Sequence, residues 1–168
     1  MTHGVSRRLP SVWLEMALIV VLGTVLAVSM NVVRADSLPW VADFAAQAKR
    51  EALRKGLETI DVHGAIPLQG RPGVVFLDAR TPDEYARGHV AGAKNLPQEL
   101  MYGDLDAVVK RMSLSPDARV VVYCEGILCD KSQELAEALR TDGFPYVSVM
   151  PDGFEGWQAA GGPTEGGI

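Results

Sequence analysis

The chain has 168 residues, 48% of them hydrophobic and 22% charged, with 16 Lys+Arg against 21 Asp+Glu, a formal charge of −5, and two cysteines. This is too apolar for a disordered chain, too poor in cysteine for a disulfide scaffold and too acidic for a nucleic-acid binder. The length suits one ordinary domain plus a small addition.

That addition stands at the N-terminus. Met16 to Val33 is a run of eighteen residues without a charge, extended past Glu15 by Val12, Trp13 and Leu14, and such a run is long enough to cross a bilayer. Residues 1–35 carry a net +2 and the remainder −7. Arg7 and Arg8 precede the run, Arg34 alone follows it closely, and Trp13 and Trp40 lie where interfacial aromatics belong. The expected topology keeps residues 1–11 in the cytoplasm, spans the membrane with residues 12–34 as a signal anchor, and places the domain on the periplasmic or extracellular side. A cleaved signal peptide is the competing expectation, because Val33-Arg34-Ala35 offers a spacing that signal peptidase accepts.

Residues 35–57 read as a linker with an amphipathic helix, in which Val41, Phe44, Ala45, Ala48, Ala52 and Leu53 recur near helical period. The expectation is a spacer, with Glu51 and Lys55 pairing on its solvated face. From Glu58 onward, short apolar strands alternate with amphipathic helices, the rhythm of an α/β domain with a mostly parallel sheet. Expected strands are 74–78, 119–123 and 146–150, with weaker ones at 58–61 and 93–96. Thr81, Pro82 and Glu84 form a capping box that starts a helix, and Gly88 stops it. Asp104 is the expected cap of a helix with an apolar stripe of Leu105, Val108, Val109 and Met112, and Asp130 that of a helix through Leu135, Ala136, Ala138 and Leu139. The glycine-rich end from Gly161 is expected to fray, with 165–168 a flexible tail.

In a parallel α/β sheet, ligands bind outside the carboxyl ends of the strands, which is where Asp78 and Cys124 stand. The segment Cys124-Glu125-Gly126-Ile127-Leu128-Cys129-Asp130-Lys131-Ser132 joins strand to helix. Backbone amides converging on the sulfur and a helix N-terminus would stabilise a thiolate or a bound anion there.

Several segments together carry a resemblance: Val75 to Arg80, Glu84-Tyr85, Gly88 to Pro97, Val121-Val122-Tyr123-Cys124, and Gly153-Phe154-Glu155-Gly156-Trp157 followed by Ala160-Gly161. In this order they resemble the rhodanese-like domain across residues 58–164, and agreement over many elements is far more specific than one short motif. The resemblance implies a three-layer α/β fold around a five-stranded parallel sheet. It also implies a cysteine, here Cys124, that accepts sulfane sulfur as a persulfide and passes it to a nucleophile.

The sequence departs from that pattern in the loop. Where sulfurtransferases of the family usually carry an arginine, this chain has Cys129; the only nearby base is Lys131, Ser132 falls two places late, and Glu125 and Asp130 add negative charge. A guanidinium fork would grip thiosulfate or phosphate, whereas Lys131 offers one flexible charge, so weak affinity for small dianions and no phosphatase activity are expected. Cys129 suggests another use, as a thiol that resolves a Cys124 persulfide or closes a disulfide with Cys124.

Other side chains read as support. Arg80 is expected to pair with Glu84, His89 to hydrogen-bond at a turn, and Asp78 to order the loops at the strand ends. Neither a cofactor nor a metal site is expected, since no His or Cys cluster has ligand spacing. The expected partners are a small sulfur donor or a protein thiol or persulfide, and the membrane through the N-terminal helix, with no nucleic acid. Two functions fit. One is an exported, membrane-anchored sulfurtransferase or thiol-redox protein using Cys124 and Cys129; the other is a non-catalytic binding module with a structural Cys124–Cys129 disulfide.

Overall fold

In the computed structural model, which describes residues 9–33, 44–103 and 105–167, the uncharged N-terminal run forms one helix, α1 (Leu9–Val33). Its stretch Val12–Val33, 22 residues, is long and apolar enough to cross a membrane: at about 1.5 Å per residue it covers the roughly 30 Å of a hydrocarbon core. The large apolar side chains along it are exposed, from Val12 to Val33, as befits a helix that is hydrophobic on every face. Arg7, Arg8, Arg34, Ala35, Trp40, Val41 and Asp104, which bear on topology, spacer and capping in the sequence, lie outside the described residues.

The second unit, Asp43–Ile168, begins with α2 (Phe44–Arg54), then β1 (Glu58–Thr59), α3 (Val62–Ala65), β2 (Val74–Asp78), α4 (Pro82–Arg87), β3 (His89–Val90), β4 (Lys94–Asn95), α5 (Leu105–Arg111), β5 (Arg119–Tyr123), α6 (Lys131–Thr141), β6 (Val147–Val149), α7 (Gly153–Ala159) and β7 (Thr164–Glu165). Five strands form one parallel sheet in the order β1-β6-β5-β2-β4. The central strands β2 and β5 have helices on both faces, which is why both read as unbroken apolar runs.

Side chains leave the sheet alternately to either face. Leu77, Val120, Val122 and Cys124 join Leu135, Ala136 and Leu139 of α6, Val108 and Val109 of α5 and Ala52 of α2 in one core layer. Phe76, Val121 and Tyr123 join Val62 of α3 with Phe154 and Trp157 of α7 in the other. Trp157 is fully buried, meets Phe76 edge to face at 5.5 Å and donates from Nε1 to the Pro163 carbonyl at 2.9 Å. The chain after it must pass flat against the indole, because a Cβ on Gly162 would stand 2.3 Å from Trp157.

Three expectations change. The α2 helix is not a spacer: Ala52 is completely buried and Leu57, just beyond it, is 2% exposed. Lys55 pairs with Glu137 of α6 at 3.2 Å rather than with Glu51, which faces Arg54. Nor does the glycine-rich end fray throughout, since β7 pairs antiparallel with β3, Thr164 with Val90 and Glu165 with His89, and Gly92 N–H donates to Glu165 at 3.0 Å. Edge backbone left by a two-residue strand finds its partner in that tail.

Candidate active site

The site lies where β2 and β5 end side by side. Asp78 stands in register with Tyr123, which places Cys124 one residue beyond the sheet. Both strand ends are buried, but they are held differently. Asp78 has no exposed surface and Arg80 is 4% exposed, so each must find partners within the protein. The guanidinium grips the Asp78 carboxylate as a fork, Nη2 at 2.7 Å from Oδ2 and Nε at 3.0 Å from Oδ1. It also donates to the Gly88 carbonyl at 2.6 Å and, through Nη1, to Glu125 at 2.9 Å, and its flat face lies 4.2 Å from the ring centre of Phe154. Burial works against its charge, yet the hydrogen bonds and charge of Asp78, with Glu125 adding, hold the pKa above the ordinary arginine value. Tyr123, beneath, is pushed well above the ordinary phenol range by burial and then by the charge of Asp78; the protonated hydroxyl bonds Asp78 and accepts from Val90 N–H at 3.1 Å.

Arg80 therefore does not pair with Glu84. Glu84 is committed to Thr81, accepting from its N–H at 2.9 Å and its hydroxyl at 2.6 Å in a complete capping box. Those bonds to Thr81, with lesser help from the charges of Lys131 and Arg80, lower the Glu84 pKa despite partial burial. The sequence missed Arg80 as the base that touches the cysteine loop. Lys131, the base it singled out, opens α6 and acts on Glu84 instead.

Cys124 and Cys129 are joined by a disulfide, with their Cα atoms 6.3 Å apart. The Cys124 sulfur lies 3.3 Å from the Cys129 carbonyl oxygen and 3.5 Å from the hydroxyl of Ser132, which is itself 2% exposed. Of the loop amides expected to converge on the sulfur, that of Cys129 is engaged elsewhere. Cys129 N–H closes a turn onto Gly126 O at 3.0 Å, and carbonyls of the loop accept from α7: Phe154 N–H to Cys124 O at 2.8 Å and Glu155 N–H to Glu125 O at 2.9 Å. Gly153 is required at that junction, with φ +63° and space so tight that a Cβ would stand 2.5 Å from Glu125 O. Asp130 precedes α6 in helical backbone conformation and makes no side-chain cap bond. A cap needs an extended residue to swing its carboxylate back, so the expected Asp130 cap fails and α6 starts without a carboxylate over its first amides.

Two clefts flank the loop. One of about 550 Å³ is lined by Glu125 to Cys129 together with Asp152, Glu155 and Gly156. The other, about 230 Å³, lies between Ile127 to Asp130, Gln133 and α2. Leu128 stands at the tip, 81% exposed. Among the described residues, no group of three or more His, Cys, Asp or Glu side chains could hold a metal ion.

A family model for the rhodanese-like domain matches residues 62–160. The chain belongs to the rhodanese-like domain family. It is 30% identical over 124 residues to the protein YibN of Escherichia coli K12, covering 72% of this chain and 82% of that protein. The crystal structure of the Alr3790 protein from Anabaena is similar at 32% identity and a TM-score of 0.54, covering 65% of this chain and 81% of that one. EanB, solved with ergothioneine covalently linked to a persulfide cysteine, shares the fold at 21% identity and a TM-score of 0.61, over 66% of this chain and 28% of EanB. The five-stranded parallel sheet is thus that of the rhodanese-like fold.

His89 of this rhodanese-like domain takes a structural place. Its Nδ1 lies 2.9 Å from the Tyr85 carbonyl and its ring stacks on Tyr85 at 3.7 Å. Asp152 and Glu155, which line the larger cleft, were not legible as site residues, because nothing local in the sequence says that α7 starts against the cysteine loop. The one available signal was Gly153, whose neighbours resemble the family's closing element.

Proposed function

We propose that this protein is a membrane-anchored thiol sulfurtransferase in which Cys124 carries sulfane sulfur as a persulfide and Cys129 resolves it, with the domain on the outer side of the membrane. The observation that carries the reading is the pairing of the two cysteines in the loop that follows the central strand, with Ser132 and the uncapped start of α6 beside the Cys124 sulfur. A hydroxyl and a helix N-terminus favour a thiolate there. The reduced Cys124 thiolate attacks the outer sulfur of a donor and takes it, and the rest of the donor leaves with the bonding electrons. Attack by Cys129 on the Cys124 sulfur then forms the disulfide and expels hydrosulfide, which carries away the Cys129 proton. A dithiol restores both thiols and is itself oxidised.

Mass spectrometry of the reduced protein after exposure to a polysulfide tests this. Cys124 gains one sulfur in wild type and in Cys129→Ser, while Cys124→Ser gains none at that position; loading of Cys124→Ser to the wild-type level would overturn the assignment. The topology is tested by protease added to cells with an opened outer envelope, which removes the domain. A protected domain, or a mature chain beginning near Asp36, refutes the anchor. One observation favours the alternative of a binding module: Arg80, the base at the loop, is fully engaged. Absence of sulfur loading together with unfolding on reduction would support that alternative.

A further inference from the structure

The two sulfurs of the disulfide are not equally open to attack. Cys124 is 1% exposed and belongs to the core layer beneath α6. Cys129 is only partly buried and lines both clefts, which Cys124 does not. Thiol–disulfide exchange runs nearly in line, the incoming thiolate approaching opposite the leaving sulfur. Cys124 is enclosed in the same buried cluster as Val122 and Leu135, which leaves an incoming thiolate little open approach to its sulfur. Cys129 is open to attack from the clefts, and its loss as a partner would release Cys124 beside the Ser132 hydroxyl, 3.5 Å away at the start of α6.

The walls of those clefts describe the incoming molecule. None of the residues lining either one is a lysine or arginine. Arg80 brings one positive charge shared between Asp78 and Glu125, and Glu51 has only the exposed Arg54 at 3.7 Å, so Asp130, Asp152 and Glu155 add to a net negative charge around an apolar tip of Ile127 and Leu128. A small dianion meets only like charge there. A polypeptide that places an apolar side chain beside Leu128 and a basic one near Asp152 and Glu155 is complementary in both respects.

Taking the cysteine pair to cycle, as in the function proposed above, we propose that the disulfide is opened by a protein dithiol whose attacking cysteine is flanked by apolar and basic residues, and that this cysteine bonds to Cys129, not Cys124. The partner thiolate forms a bond to the Cys129 sulfur, the Cys124–Cys129 bond breaks, and Cys124 departs as the thiolate. The partner's second thiol then attacks the mixed disulfide, releasing Cys129 as a thiolate and leaving the partner oxidised by two electrons.

The test uses the full-length oxidised protein in detergent and an excess of a peptide with one cysteine among leucines and lysines, quenched with N-ethylmaleimide. Tandem mass spectrometry of the tryptic segment Val120 to Lys131 should place the peptide on Cys129 and the maleimide on Cys124. The reverse placement overturns the proposal. The same peptide with glutamates for lysines should react about tenfold more slowly at low salt, a gap that closes as salt is added. Equal rates at low salt would overturn the partner's chemistry, and a disulfide that neither peptide opens would overturn both this and the cycling pair. Exchange through Cys129 without sulfur loading of reduced Cys124 would instead leave this inference standing and refute the sulfur carrier.

Discussion

Two neighbouring strand ends in this domain have taken opposite uses. At the end of β2, Asp78 and Arg80 are buried and every strong polar group nearby is satisfied by another part of the chain. One side chain, Arg80, ties together the β2 end, the end of α4, the cysteine loop and α7. At the end of β5, one residue beyond the register of Asp78, the loop is held from behind by α7 amides while its tip projects between two clefts. A saturated polar network fixes a scaffold, whereas a loop held at its base by Arg80 and α7 but projecting at its tip is where the proposed change of thiol partner would meet least resistance. On the proposed function, the rigid end positions the reactive one. Three perturbations separate their roles.

The largest effect belongs to the rigid end. Arg80→Met keeps much of the apolar stem but strands the buried Asp78 carboxylate, at a cost of about 3–5 kcal/mol in denaturant unfolding. Arg80→Lys restores charge without the fork and should recover only part of it. A loss below about 1 kcal/mol for Arg80→Met would mean that the pair is replaceable, as an exposed ion pair is.

The reactive end should matter less to stability. The loop closed between Cys124 and Cys129 is short, with a sequence separation of 5, and on the chain-entropy model such a bond contributes no more than about 2 kcal/mol. Reduction with a mild dithiol should leave the domain folded by circular dichroism while both cysteines become alkylatable. Unfolding on reduction would transfer the disulfide from the reactive to the structural side of the comparison.

The same contrast explains what could be read beforehand. All five strands of the parallel sheet were legible: the inner strands β2, β5 and β6 because buried strands carry the signal in their own apolar residues, and the short, half-exposed edge strands at Glu58 and Lys94 only weakly, because they lack such a run. So was the Thr81 box, a strictly local device. Pairings across the fold were not. Arg80 faces Glu125, 45 residues away in sequence, and spacing alone favoured its neighbour Glu84. Lys55 likewise reaches Glu137, and β7 closes on β3 from the far end of the chain. Cys124 was legible because it terminates an apolar strand, but the roles of Asp152 and Glu155 depend on how α7 docks, which periodicity does not encode. Asp130 had the right residue type for a cap, and the turn before α6 gave it the wrong backbone conformation.

The smallest effect lies between the two ends, at the cap that starts α4. Thr81→Ala removes the hydroxyl that accepts from the Glu84 N–H and donates to the Glu84 carboxylate, and should cost about 1 kcal/mol near neutral pH. Its pH dependence identifies the cause. Hydrogen bonds from Thr81, first the side chain and then the backbone, hold the folded-state Glu84 pKa below its ordinary value. Folding therefore favours the ionised form, and the stabilisation is fully present above the ordinary glutamate value. It disappears as pH falls through the lowered folded-state value, because the unfolded chain takes up the proton first. Wild type should lose this share of stability on acidification, while Thr81→Ala, having lost the larger cause, should show a shallower acid slope and converge on wild type. Lys131→Ala should flatten the slope less, since its charge is a lesser cause of the same shift. Chemical denaturation of the three proteins at a series of pH values checks this. Parallel curves for wild type and Thr81→Ala would mean that the hydroxyl acts only as a neutral cap and that Glu84 does not depend on it for its ionisation.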